Sequence, residues 1–189
     1  MSHFVIRPGE TEYDVQSRIS GQLSLPLTAK GRLQIGHIID RLEGIELDAV
    51  YTAGTEPALS TAIAVADALD TDVKVLEGLV NMNLGLWQGL RLDDLKQRQP
   101  RVYKLWREAP EAVCPPLGET CDEAYARIEA ALRKPLKRGL PFAVVCPEPA
   151  ASIVACVLKN CALQLPGPLC GCCEELRVEE IRLPVVSSV

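Results

Sequence analysis

Phe4-Val5-Ile6-Arg7-Pro8-Gly9-Glu10-Thr11 decides the fold. Three large apolar residues in a row read as a short buried strand. Arg7-Pro8-Gly9 ends it, because proline fixes φ and removes a backbone donor while glycine admits a turn. The same alternation repeats along the chain. Thr28 can cap a helix whose Ile35, Ile38, Ile39 and Leu42 recur at helical spacing, with Gly44 as its stop. Residues 48–51 read as a second strand, and 56–69 as an Ala-rich helix that is apolar nearly all round and therefore expected to be buried. Residues 73–76 read as a third strand. Thr120 and Glu123 carry a capping-box signature opening a helix through Ala124, Ile128, Ala131 and Leu132. Phe142-Ala143-Val144-Val145 is a fourth strand, followed by a helix over about 149–161.

The tail over 175–183 alternates with a slip at Glu179-Glu180, which predicts an edge strand with a bulge. This order implies an α/β fold, a three-layer αβα sandwich whose central sheet is mostly parallel with an antiparallel edge strand. Residues 1–189 read as a single domain. An irregular insertion is expected at about 90–116, a polar stretch broken by Pro100, Pro110, Pro115 and Pro116. Ligands in such sheets sit at the carboxyl ends of the strands, so the turns after Ile6, Tyr51 and Val145 are where a site belongs.

Composition narrows the partners. The 189 residues carry 20 Lys+Arg against 25 Asp+Glu, a net charge of −5, and only 4% aromatic residues. An acidic, aromatic-poor surface repels nucleic acid and anionic membranes, so neither is expected as a partner. The apolar stretch over 150–158 ends at Lys159 and is too short to span a bilayer. Arg7 and Glu10 interrupt the start before a secretory h-region can build. With no export signal expected, the eight cysteines read as reduced thiols in a cytoplasmic protein.

The turn also carries a resemblance. Ile6 to Thr11, followed by Arg18, Gly21 and Leu25-Pro26-Leu27-Thr28-Ala29-Lys30-Gly31, resembles the opening of the histidine phosphatase superfamily, in its phosphoglycerate-mutase-like branch. That family opens with Arg-His-Gly-Glu-Ser/Thr and continues to a Pro-Leu-Thr-x-x-Gly helix start. Tyr51-Thr52 with Thr61-Ala62, Gly85-Leu86-Trp87-Gln88-Gly89, Pro116-Leu117-Gly118-Glu119-Thr120 and Val144-Val145 follow in the same order, so the likeness runs along nearly the whole chain.

What the resemblance implies about chemistry turns on the departures. In the family the first-turn histidine is the nucleophile; here that position is Pro8. A second phosphate-binding arginine matches Pro57, the general acid matches Asn81, and a second histidine after the fourth strand matches Pro147. Asp14 stands where an asparagine is usual, and of the five pocket residues only Arg7 is kept. Phosphoryl transfer through a phosphohistidine needs an imidazole, cations around the phosphoryl oxygens and an acid for the leaving group. Proline supplies none of these. The chain has two histidines; His3 is expected before the first strand and His37 inside the first long helix, away from the strand ends.

The expectation is a catalytically inactive relative, not an enzyme, with a binding or regulatory role, no cofactor and no metal. Its partner would be a protein or a small ligand, with homo-oligomerisation as a further option. Residual ligand contacts are assigned to Arg7, Gly9, Arg18, Glu119 and Glu148. Glu10, Asp14, Glu119 and Glu148 are expected at the rim, tipping it toward negative charge, and Arg7 can alternatively pair with one of them and hold the turn.

Two other functions compete. One is a hydrolase with relocated chemistry in the same cleft, using Cys146 or a carboxylate. The other is a thiol or metal module at Cys156, Cys161, Cys170, Cys172 and Cys173, although Cys170-Gly171-Cys172-Cys173 lacks zinc-knuckle spacing. Cys121 and Arg127 match a Cys-x₅-Arg pattern, but the acidic residues between them read as a helix start rather than a phosphate loop. Trp87 and Trp106 read as packing residues.

Overall fold

A computed structural model describes residues 1–168 and 177–183. Strand β1 (Ser2–Ile6) leads through the short helix α1 (Glu12–Val15) to α2 (Ala29–Arg41). Then come β2 (Ala49–Thr52), α3 (Ala58–Ala68) and β3 (Asp72–Val75). Helices α4 (Leu92–Arg98) and α5 (Pro100–Glu108) fall in the stretch expected as an insertion, and α6 (Cys121–Arg138), β4 (Phe142–Val145), α7 (Ala150–Lys159) and β5 (Val178–Arg182) follow. Their sheet order is β3-β2-β4-β1-β5. Neighbours pair in parallel except β1 and β5, which are antiparallel.

Strand alternation divides the core into two apolar layers. Val5, Tyr51, Phe142 and Val144 face the side covered by α6 and α7, where Ile128, Leu132, Ile153 and Val154 meet them. Phe4, Ile6, Val50, Ala143 and Val145 face the other side, against Ile38 and Leu42 at α2 and Ala62 and Val65 of α3. This is the expected three-layer sandwich with an antiparallel edge. Thr28 and Thr120 cap α2 and α6 as predicted, and the Thr120–Glu123 capping box is closed in both directions.

Three local expectations change. Helix α3 is not buried all round: Ala58, Thr61, Ala62, Val65 and Ala66 face the core while Ile63 is exposed. Alanine is small enough to sit on a surface without a large apolar penalty, so an Ala-rich helix hides its amphipathicity. The β1–β5 ladder runs unbroken from Ser2↔Arg182 to Ile6↔Val178, so there is no bulge at Glu179-Glu180. The apparent slip arises because Glu179 lies on the α7 side of an edge strand and pairs there with Lys159 at 2.7 Å. His3 lies within β1 rather than before it, its ring 4.0 Å from that of Phe142. No helix among the described residues is long and apolar enough to cross a membrane.

Candidate functional site

The turns after β1 and β4, and the start of α3 after β2, converge at the carboxyl edge of the sheet on a cavity of about 460 Å³. Arg7, Pro8, Gly9, Pro57, Pro147 and Glu148 all line it, as do Asp14 and Arg18. The turn after β1 is held by its backbone. Arg7 N–H donates to the Arg177 carbonyl at 2.7 Å, and the Arg177 guanidinium donates to the Pro8 carbonyl. Gly9 must be glycine, because a Cβ there would lie 2.3 Å from the Gly31 carbonyl oxygen at the start of α2. Pro57 and Pro149 sit at the caps of α3 and α7, where a missing N–H breaks no helical bond.

Arg7 is matched within the chain. Its Nε donates to Glu148 Oε1 at 2.5 Å, and Nη1 lies 3.5 Å from Glu179 Oε2. The other Glu148 oxygen accepts from Ser152 Oγ at 2.8 Å and from Ser152 N at 3.2 Å, so the carboxylate bridges β1 to the first turn of α7. Glu179 in turn holds Lys159, and that hydrogen bond raises the Lys159 pKa. Arg18 donates through Nη1 to the Gly89 carbonyl at 2.6 Å, and Asp14 accepts from Thr11 N and Oγ1 in a capping box.

The predicted rim is corrected in two places. Glu10 turns away to accept from Thr28 Oγ1 and to pair with Lys30, and Glu119 is drawn off by Arg127 at 2.7 Å. Neither lines the cavity. The described lining is therefore balanced, two arginines against two carboxylates, rather than anionic. Asn81 does not line it either. Its side chain is buried and fully hydrogen-bonded, donating to the Gly21 and Glu148 carbonyls at 2.9 Å and accepting from Met82 and Ala150 N–H. Asn81 ties the loops behind the cavity to the start of α7.

Cys146 and Cys121, the thiols nearest the cleft, are poor nucleophiles. Cys146 is fully buried behind the cleft, outside the cavity wall, and burial drives its pKa far upward, more than the nearby Arg7 lowers it. Cys121 is pushed up to about 11, by burial first and then by Glu111 and other acidic neighbours. It opens α6 behind the Thr120 cap, and Arg127 is spent on Glu119 and the Gly78 and Val80 carbonyls, so this pair forms no phosphate loop. Cys156 and Cys161 are free thiols, Cys156 raised chiefly by burial; Cys170, Cys172 and Cys173 lie outside the described residues. Among the described residues no group of three or more His, Cys, Asp or Glu side chains is placed to hold a metal.

Three features were not anticipated from sequence, one of them the Ser152 partner of Glu148. Glu179 reaches Arg7 only through the β1–β5 register. The cavity is also lined by an apolar set, Met82, Leu84, Trp87, Leu92, Trp106 and Val113. A signal existed for Ser152 alone, four residues after Glu148 at a helix start.

Comparison with known proteins puts this cleft in context. The sequence model of the histidine phosphatase superfamily (branch 1) matches residues 3–165. Phosphoserine phosphatase 1 of Hydrogenobacter thermophilus is 25% identical over 134 residues, covering 71% of this chain and 64% of its own. Adenosylcobalamin/alpha-ribazole phosphatase of Escherichia coli is 30% identical over 129 residues, covering 68% and 64%. The chain thus spans just under two thirds of the length of these two relatives. Among solved structures, Bacillus stearothermophilus YhfR superposes with a TM-score of 0.78 at 25% identity, covering 97% of this chain and 92% of that one. The expectation that the chain is not an enzyme is corrected by the two sequence relatives: both are named phosphatases, and the substitutions at Pro8, Pro57, Asn81 and Pro147 do not by themselves establish a loss of activity. Both the matched span and the sheet order built around this cleft lead to one conclusion: the chain belongs to the histidine phosphatase superfamily, branch 1.

Proposed function

We propose that the cleft serves as a binding site for a ligand other than a phosphate dianion, and that any hydrolysis it supports runs without a phosphohistidine. The observation that carries this reading is the Arg7–Glu148 contact of 2.5 Å between Pro8 and Pro147. The guanidinium that would grip a phosphate is already held by an internal carboxylate, and a dianion entering there meets Glu148 and Glu179 as like charges. His3 is buried in β1 and His37 is exposed on α2, so no imidazole lines the cleft.

The relatives' names favour a second reading, a phosphomonoester hydrolase in the same cleft. For it, Arg7 and Arg18 would receive the ester and Asp14 or Glu148 would act as general base toward water. Incubation with a generic aryl phosphate, with Arg7→Ala as control, separates the two. The first reading expects no acid-labile phosphoprotein and no saturable orthophosphate binding. Arg7-dependent phosphate binding, or a phosphoprotein intermediate, would overturn it. Turnover lost in both Arg7→Ala and Glu148→Gln would establish the second.

A further inference from the structure

Helix α7 ends in a Schellman motif that sets two cysteines side by side. Asn160 takes the left-handed conformation, with φ 49° and ψ 48°. Its N–H bonds to the Val157 carbonyl at 3.2 Å, and the Cys161 N–H bonds back to the Cys156 carbonyl at 3.1 Å. Those two bonds define the motif, in which the side chains at the positions of Cys156 and Cys161 meet across the helix end. With standard bond lengths, the second bond holds the two Cα atoms within about 7 Å of one another, the reach of a disulfide. Burial is the chief cause of the raised Cys156 pKa, and a side-chain hydrogen bond with Cys161 contributes to it, so the thiols themselves touch. The pair is also asymmetric, with Cys161 exposed and Cys156 buried. An incoming reagent therefore reaches Cys161 first, while Cys156 lies behind it. The Cys156 thiol donates to the Gln164 carbonyl at 3.9 Å, and residues 164–167 line the cleft.

We propose that Cys156 and Cys161 are a dithiol modification site, oxidised by a low-molecular-weight disulfide to an intramolecular Cys156–Cys161 bond. The exchange takes two steps. The Cys161 thiolate attacks one sulfur of the small disulfide, forming a mixed disulfide and expelling one thiolate. The Cys156 sulfur, its proton given to solvent, then attacks the Cys161 sulfur and expels the second. Two protein thiols are oxidised, one small disulfide is reduced, and the two protons lost by the cysteines end on the two expelled thiols. The loop closed is short, so little chain entropy is gained and the bond is expected to be reversible. Oxidation removes the S–H that the Gln164 carbonyl accepts, so the change is made beside the cleft wall. This site is independent of what the Arg7 cleft binds.

The test treats the full, reduced chain with oxidised glutathione, blocks remaining thiols with N-ethylmaleimide in mild acid and maps tryptic peptides. Trypsin cuts after Lys159, between the two cysteines, so the bond joins two peptides. Fragmentation tells Cys156 from Cys146, and Cys161 from Cys170, Cys172 and Cys173. The expected result is a Cys156–Cys161 link that dithiothreitol removes, with no glutathione left on Cys161. Cys161→Ser, a change at an exposed position, should lose the link. Cys156→Ser should lose it and keep glutathione on Cys161. A wild-type Cys161 that retains glutathione, links to another cysteine or remains a thiol overturns the site.

Discussion

Glu148→Gln tests the electrostatic core of the site. Glu148 and Arg7 meet at 2.5 Å with side chains 15% and 12% exposed, so their charges are only partly screened. A phosphate oxygen reaching Arg7 Nε must displace the carboxylate and then remain beside it. Two like unit charges about 4 Å apart repel by about 4 kcal/mol at an effective dielectric of 20, equivalent to about three powers of ten in affinity. Part of that is relieved because the carboxylate can withdraw toward Ser152, which already holds its second oxygen. Glutamine keeps the shape and an acceptor for Ser152 but removes the charge. The prediction is at least about a tenfold gain in orthophosphate affinity over the wild type, shrinking as salt rises. Losing the charged hydrogen bond should cost about 1.5–3 kcal/mol of stability, lowering Tm by about 3–12 °C in a chain of this size. Isothermal titration with orthophosphate near neutral pH, at low and high salt, gives the affinity, and a thermal melt gives the cost. A wild-type protein that binds phosphate as tightly as the variant would refute the view that Glu148 closes the anion site.

Other predictions follow from single contacts. Asn81→Ala should cost about 3–5 kcal/mol in urea unfolding, because it strands the buried Met82 and Ala150 N–H groups and two carbonyls; a loss below about 1 kcal/mol would mean that the loops behind the cleft are held elsewhere. Cys146 should resist alkylation by iodoacetamide in the folded protein while exposed Cys114 and Cys161 react, as peptide mass mapping would read out. His3 has a lowered pKa from burial, so the unfolded chain binds the proton more readily. Stability is therefore full above the unfolded pKa near 6.5 and falls as pH drops through it, by up to about 1.4 kcal/mol per unit. His3→Phe should flatten that acid slope in chemical denaturation, and an unchanged slope would place the acid sensitivity elsewhere.

Local spacing was enough for the architecture and for the address of the site. Apolar triplets ending in turn residues, Thr28 and Thr120 at helix starts, and proline at positions 8, 57 and 147 are features whose consequences act within a few residues along the chain. Strand ends, caps and the absence of an imidazole after β1 and β4 follow from them directly. Helix α3 shows the limit, since the uniform apolarity of alanine conceals which side faces the core.

Charge pairing and cavity shape belong to the tertiary structure. Arg7 finds Glu148 across 141 residues of sequence because β1 lies beside β4, and it meets Glu179 because β5 pairs antiparallel with β1 in one register. A shift of one residue would send Glu179 to the other face of the sheet. Glu10 and Glu119 seemed equally placed by sequence, yet each is captured by a nearer cation, Lys30 or Arg127. The apolar lining that brings Met82 and Trp87 to the same cavity as Arg7 is likewise invisible in the sequence. Sequence alone determined the backbone course and the chemistry missing from the strand ends, because backbone hydrogen bonding and capping are local. Only the fold decided which charges cancel and what lines the cavity, because those depend on distances between segments far apart in the chain.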